Sequence, residues 1–423
     1  MKKLSLIVFF TIFILAFITP SLVNASSENK ASVSVGESIR PVSGKISSVE
    51  VVSGSKRISY TLKNGNLTIT GKRPGKSVIK LTGNGIAEEY EIKIRKTGLT
   101  LHMLDVGQGD STVIRVNGKT ILIDTGERSA YKDLQEQLEF FNIKKIDTLF
   151  ISHMDTDHMG NAADIIRDYQ VKKIYVPARK GSSSEYTNFE NYCINHGINP
   201  TVVCTDDTVK LGYKCTAEIF MADYGETAND SSIVMMLRYY DNSILFTGDM
   251  PAAGLNYVIQ SNDVKADVLK VSHHGSDASN PILFLKKVSP AIAMISVGSN
   301  NSYGHPDSNV LKRLEMFSGQ VFRTDMDGTI TVKGDGTTVT AACAAIVQHI
   351  SKEQEIKKDI IPIIAEPDDG PIDTGSIIGN RNSLVYHVPT CHSLPAEHNR
   401  IYFESAAEAE NAGFRPCKNC AKK

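Results

Sequence analysis

The stretch Ser152-His153-Met154-Asp155-Thr156-Asp157-His158-Met159-Gly160 constrains this chain more than any other. It is an H-x-D-x-D-H cluster, reached from an apolar run at 146–151 and left through a glycine into a helix-like segment at 161–169. Imidazoles and carboxylates gathered where a buried strand meets a helix suit a borderline divalent ion such as zinc or manganese. Alternation along the loop predicts His153, Asp155 and Asp157 on one side, with His158 adding an imidazole from the next position. Solvated loops also carry Asp and His by chance, but this density of ligand types directly after a buried strand argues against that reading.

The chain has 423 residues and 41% hydrophobic content, enough for about two to four domains. A net charge of -1 gives no global argument for a polyanionic partner. Lys2 and Lys3 precede an uncharged apolar run at 4–18, followed by Pro20 and Val23-Asn24-Ala25. That order is a positive n-region, a short h-region and a small-residue cleavage site. The run is about 15 residues, whereas a membrane span needs roughly 20. Residues 1–25 are therefore expected to be a cleaved signal peptide, with no transmembrane segment left afterwards. The mature protein is expected to be secreted or associated with the cell surface.

Four regions follow. Residues 31–97 show short alternating segments separated by Asn64-Gly65, Pro74-Gly75 and Asn84-Gly85, which predicts a small all-β domain. Residues 99–348 interleave strand-like and helix-like periodicities, including Leu134, Leu138 and Phe141 at helical spacing, which predicts packed α/β layers. Residues 351–374 are charged and then Pro- and Gly-rich, a linker. Residues 377–423 are too few to fold on apolar burial alone. They hold His387-x-x-x-Cys391 and Cys417-x-x-Cys420, one imidazole and three thiols at the spacing of a structural zinc site. A disulfide is the rival in an exported chain, although three Cys leave one over. Cys193, Cys204, Cys215 and Cys343 have no metal spacing; buried thiols and one disulfide stand as equal readings.

Three further segments carry candidate ligands. Asp249 ends an apolar run at 243–248, His273-His274 ends another at 268–272, and Tyr303-Gly304-His305-Pro306 precedes a helix-like stretch. In this order, after H-x-D-x-D-H, they resemble the metallo-β-lactamase superfamily. Leu104-Asp105-Val106-Gly107-Gln108-Gly109-Asp110-Ser111, Leu122-Ile123-Asp124-Thr125-Gly126, Ser272-His273-His274-Gly275-Ser276 and Tyr303-Gly304-His305-Pro306 look like the corresponding domain of ComEC-type competence proteins, over about residues 99–340. The resemblance implies an α/β fold, a four-layer αββα sandwich with the site at one edge between two sheets.

It also implies two divalent ions, zinc or manganese. His153 and Asp155 would hold one; Asp157, His158 and either His273 or His274 would hold the other; Asp249 would bridge. A metal-activated hydroxide would attack a phosphodiester, with Asp157 orienting it and receiving its proton. His305 would lie near the substrate or cap a helix. The chain departs from the family in two ways: Asp155 stands where many members have His, and residues 226–232 offer no His for the first ion, leaving Asp230. The Asp105-Val106-Gly107-Gln108-Gly109 run is read as a structural turn.

The flanking regions have resemblances of their own. Gly36-Glu37-Ser38, Asn66-Leu67-Thr68-Ile69-Thr70-Gly71 and Pro74-Gly75-Lys76-Ser77-Val78-Ile79 resemble bacterial Ig-like (Big) modules, whose basic residues here would suit anionic cell wall. Gly379-Asn380-Arg381-Asn382-Ser383, Tyr386 and Gly413-Phe414-Arg415-Pro416-Cys417 resemble the zinc-binding domain of Ada-type DNA repair proteins. His387 stands where that family's methyl-accepting Cys lies, so the expected role is structural or nucleic-acid-binding, with one structural zinc. The function expected is a secreted metal-dependent phosphodiesterase, a nuclease acting on nucleic acid. The alternatives are a cell-wall phosphodiesterase acting on phosphocholine or teichoic-acid linkages, and a surface-binding protein without turnover.

Overall fold

The computed structural model describes residues 29–42, 45–83, 86–221 and 224–343, then 377–380, 383–391, 393–396, 400–403, 405–411 and 413–418. The expected signal peptide at 1–25, the linker at 351–374 and Cys420 lie outside the described residues. The chain divides into two compact units, 1–97 and 98–423.

In the first unit the alternating segments form two sheets. One runs in the order Lys30–Ser34, Ile86–Arg95, Gly75–Gly83, Ser48–Ser53; the other runs Ser38–Ile39, Asn66–Gly71, Ile58–Lys63. Because side chains alternate across a strand, Ile79, Leu81, Ile92 and Ile94 of the first sheet and Leu67 and Ile69 of the second are buried together with Val33 and Ile39. Asn64 and Gly65 both take positive φ, the mirror-image turn that matches strand twist in a tight hairpin.

The second unit is built on two larger sheets. The eight-stranded sheet has the order Thr201–Val202, Ile174–Val176, Thr148–Phe150, Lys119–Ile123, Thr112–Val116, Leu99–Met103, Ile330–Gly334, Val339–Cys343. The seven-stranded sheet has the order Thr208–Gly212, Cys215–Met221, Val234–Tyr239, Asn242–Phe246, Val268–Lys270, Ile292–Ile295, Gln320–Arg323. Leu101, Ile114 and Phe150 from one pack with Leu237, Ile244 and Val268 from the other in a shared core.

The outer face of the eight-stranded sheet is covered by helices. These are α1 (Tyr131–Phe140), α3 (Ala162–Asp168) and α4 (Ser184–His196), with a single turn, α2 (Thr156–Met159), before α3. Leu134, Leu138, Ile165 and Phe189 meet Leu122 and Leu149 there. On the other side, α5 (Ala252–Ser261), α6 (Ile282–Val288) and α7 (Ser308–Phe317) bring Leu255, Val258, Phe284 and Leu314 onto Leu245, Leu269 and Ala293. The layers therefore run αββα. Each fully buried Leu or Ile contributes about 1.5–3 kcal/mol relative to exposure, so the loops carried by these sheets stand on a stiff base. Thr148–Phe150 pairs in parallel with Lys119–Ile123, and Asn242–Phe246, Val268–Lys270 and Ile292–Ile295 are mutually parallel. Within each sheet these strands end on one edge, and the candidate ligand loops leave from those ends.

The C-terminal residues form a small sheet, in the order Arg400–Phe403, Ile377–Asn380, Val385–His387, Arg415–Pro416, with a helix at Ala406–Asn411. The sequence reading set this part apart. In the structure Tyr386, Phe403 and Phe414 share a cluster with Met316 of α7, with Ile282 and Phe317 at its margin. Cys193, Cys204, Cys215 and Cys343 are all free thiols, and only Cys204 is exposed. Among the described residues no helix is long and apolar enough to cross a membrane.

Candidate metal centre

The expected alternation across 153–158 does not hold. Thr156–Met159 closes into the helical turn α2, with His158 N–H and Met159 N–H both donating to the Asp155 carbonyl. The turn brings Asp157 and His158 toward Asp249 and His274, and these residues place one donor atom each within 4.8 Å of one another. His274 Nε2 lies 3.1 Å from Asp157 Oδ2 and 3.4 Å from Asp249 Oδ2; His158 Nε2 lies 3.3 Å from Asp249 Oδ1.

The sequence left His273 and His274 as equals, and the backbone separates them. Both take left-handed φ (50° and 52°). That kink drives His274 into the interior, while His273 stays half-buried at the rim, its Nε2 3.7 Å from Asp249 Oδ2. His153 and Asp155 are neighbours at 3.6 Å, but Asp155 is 46% exposed and, among the described residues, they belong to no group of three or more donors. Asp230 does not complete that pair in the structure: its carboxylate accepts from Thr227 N–H and Oγ–H, closing its own loop.

The three buried imidazoles are held in one tautomer. Ser152 donates N–H and Oγ–H to Asp124, both at 2.7 Å, so its Oγ is left to accept from His153 Nδ1 at 3.1 Å. His158 Nδ1 donates to Asp124 Oδ2 at 2.9 Å, and His274 Nδ1 donates to the Ser296 carbonyl at 2.8 Å. Each ring therefore presents Nε2 toward the site, the arrangement by which outer carboxylates and carbonyls orient metal-binding histidines. Nε2 of His153 and of His158 are buried with no hydrogen-bond partner. A buried polar atom left alone is rare, and a bound cation would answer it here. The donor set fits a divalent ion.

Charge supports the same fit. Burial opposes ionisation of Asp157 and Asp249, yet the neighbouring His158 and His274 hold both carboxyls well below the usual carboxylate range. Burial likewise opposes charge on His158 and His274, and the surrounding carboxylates, Asp249 first with Asp110 and Asp157, together outweigh it, raising both. The imidazoles thus hold protons where a cation would displace them.

The centre forms the floor of an open cavity of about 460 Å³, whose walls carry Arg179, Lys180, Tyr303 and His305. His305 is fixed at the rim by Asn301, which accepts its N–H and donates to its carbonyl. It does not cap a helix: Asp307 caps α7 by accepting from Asn309 N–H at 2.8 Å.

Four residues were missed by the sequence reading: Asp110, Asp124, Ser152 and Lys270. The first lies directly after the run read as a structural turn. Gly109, at φ 148°, would put a Cβ only 2.5 Å from the Asp157 carbonyl, and Asp110 N–H donates to that carbonyl at 3.0 Å. The glycine lets this loop lock α2 in place. The available signals were the short motifs that also hold Asp110 and Asp124, and a lysine in an otherwise apolar strand.

In the C-terminal part His387, Cys391 and Cys417 gather within 4.8 Å, with His387 Nδ1 3.2 Å from Cys391 Sγ. Three of the four predicted zinc ligands therefore meet, and Cys420 lies outside the described residues.

Residues 104–187 match the metallo-beta-lactamase superfamily, and residues 368–423 match the metal binding domain of Ada. The chain carries a metallo-β-lactamase domain and an Ada-type zinc-binding domain. It is 31% identical over 249 residues to ComE operon protein 3 of Bacillus subtilis, covering 54% of this chain and 32% of that protein. It is 32% identical over 235 residues to Recombination protein 2 of Haemophilus influenzae, covering 54% of this chain and 28% of that protein. The chain thus spans about a third of the length of these curated relatives. Among solved structures it is similar to the metallo-beta-lactamase fold protein YhfI of Bacillus subtilis, at 12% identity and a TM-score of 0.39, over 58% of this chain and 100% of that one.

Proposed function

We propose that this protein is an exported metal-dependent phosphodiesterase, a nuclease acting on nucleic acid. The observation that carries the reading is that Asp157, Asp249 and His274 line an open cavity together with Arg179 and Lys180, with His158 buried against the same donors. Cationic walls over a metal-binding floor favour an anionic substrate, and a phosphodiester gains more there than a neutral amide. Nucleic acid is favoured over other phosphodiesters by two independent likenesses, to a recombination protein and to a domain of a DNA repair protein. Export rests on the leader-like residues 1–25. The two-sheet N-terminal unit is read as an Ig-like module, whose exposed Lys72, Lys80 and Lys93 suit an anionic surface.

Asp157, His158, Asp249 and His274 would hold one divalent ion, and His153 with Asp155 offers a second position with fewer donors. When bound, the ion supplies Lewis-acid charge at a phosphoryl oxygen and lowers the pKa of water. Asp157 faces the cavity as a carboxylate and orients a water by accepting its hydrogen. With its pKa held so low, Asp157 directs the nucleophile and does not retain the proton at neutral pH. Burial and the nearby His274 lower the pKa of His305, which stands as a neutral acceptor at the rim. Arg179 and Lys180 would pair with flanking phosphates.

The test uses residues 26–423 with manganese or zinc against bis-p-nitrophenyl phosphate, linear DNA and RNA. Cleavage of all three, with loss of cleavage in Asp157→Ala, is expected. No cleavage with any divalent ion, together with release of phosphocholine from cell wall, would transfer the reading to a wall phosphodiester.

A further inference from the structure

Lys270 ends the strand Val268–Lys270, a central strand that is otherwise apolar and fully buried. Alternation sends Leu269 and Val271 to the helix-covered face, and Val268 to the core between the sheets. Lys270 shares the face of Val268, and its ammonium reaches three acceptors. It ion-pairs with Asp110 Oδ2, donates to the Gly248 carbonyl at 3.1 Å, and lies 3.4 Å from Asp249 Oδ1. Lys270, Asp110 and Asp249 are all more than nine-tenths buried.

Around that ammonium stands a second donor group. Asp110, Asp124 and His158, all buried, each place a donor atom within 4.8 Å of the others. Asp110 Oδ1 is buried without a hydrogen-bond partner. A small void of about 10 Å³ touches Asp110, Asp124 and Lys270. Several carboxylates converging in a water-poor interior require a cation, and here the chain provides one from its own strand.

We propose that the Lys270 ammonium is a resident cation: it fills, between Asp110 and Asp249, a position that a divalent ion would otherwise take. It thereby confines metal binding to the cavity side of Asp249 and keeps Asp249 Oδ1 turned inward. Lys270 is a positioning residue, acting through Asp249, and the inference holds whatever substrate the cavity accepts.

The test compares two variants by metal content after equilibrium dialysis and by thermal stability against manganese concentration. Lys270→Ala removes the charge and opens space. It should bind about one equivalent of manganese more than the wild-type protein, with a larger metal-dependent rise in Tm. Lys270→Met fills the same space without charge; it should bind no extra ion and gain no such rise. Adding Asp110→Asn to Lys270→Ala should remove the extra equivalent. Wild-type metal content in Lys270→Ala, equal rescue of both variants, or failure of Lys270→Ala to fold at any metal concentration would each overturn the proposal.

Discussion

Asp157 and His274 meet across 117 residues of chain, whereas His387 and Cys391 are only four residues apart. The first centre draws its donors from loops at the ends of strands in two sheets that are already closed over a shared core. The second draws them from a short segment whose own cluster, Tyr386, Phe403, Ala409 and Phe414, leans on Met316 of α7. Burial alone can preform the first site, and the ion then adds to a finished fold. The second segment is too small for that, so ion and fold are coupled there. Ligand chemistry follows the same division: carboxylate and imidazole beside an open cavity in the first, thiol and imidazole in the second.

The largest expected effect tests the first half of this contrast. Asp157→Ala or His158→Ala should lower phosphodiester turnover by at least ~10²-fold, with the folded core retained and Tm shifted only by lost metal linkage. Turnover surviving in a metal-replete Asp157→Ala protein would break the assignment. Next comes exchange. Mild chelation should empty the cavity site while one zinc stays bound, and Cys391→Ser should release that zinc and melt the C-terminal sheet. A single release rate for all metal would erase the distinction between the two centres.

A smaller effect concerns how the two parts support each other. Deleting 351–423 uncovers Met316 and its neighbours Ile282 and Phe317, and should lower Tm by roughly 5 °C. An unchanged Tm with a raised KM for long DNA would instead make the C-terminal part a binding arm, with exposed Lys418 among its phosphate contacts. The C-terminal part also carries other basic residues; Arg400 donates its Nε–H to the Pro395 carbonyl. Arg381, Lys422 and Lys423 lie outside the described residues.

The smallest effect lies in the sheet itself. His102 stacks on Phe141 at 3.8 Å, and burial, aided by Arg115 and Lys333, lowers its pKa from 6.5 to about 4. Between these values the unfolded chain binds the extra proton, so this contribution to stability is complete above pH 6.5 and is lost as pH falls toward 4. His102→Gln should flatten the urea-unfolding profile across that interval; an unaltered slope would remove His102 as its source.

The layered fold was legible because strands buried on both faces leave unbroken apolar runs, and amphipathic helices leave a 3.6-residue rhythm between them. The H-x-D-x-D-H cluster, Asp249 and the His273-His274 pair were legible because ligand types crowd at strand ends. Asp110, Asp124 and Lys270 were harder to read, since single charged residues in apolar surroundings carry no spacing signal. Only a partner brought from another strand gives them meaning.

Sequence by itself determined that strands and helices alternate in packed α/β layers and which residue types could meet a metal, since periodicity and ligand chemistry are local properties; the αββα order came only with the family resemblance. Tertiary structure decided which of them do. A left-handed kink turned His274 inward and left His273 at the rim, and a helical turn split Asp157 from Asp155. Asp124 set the tautomer of His158 across two sheet strands, and the closing of two sheets placed Lys270 among the carboxylates. Those choices depend on distances between segments far apart in the chain, which packing fixes and local spacing does not encode.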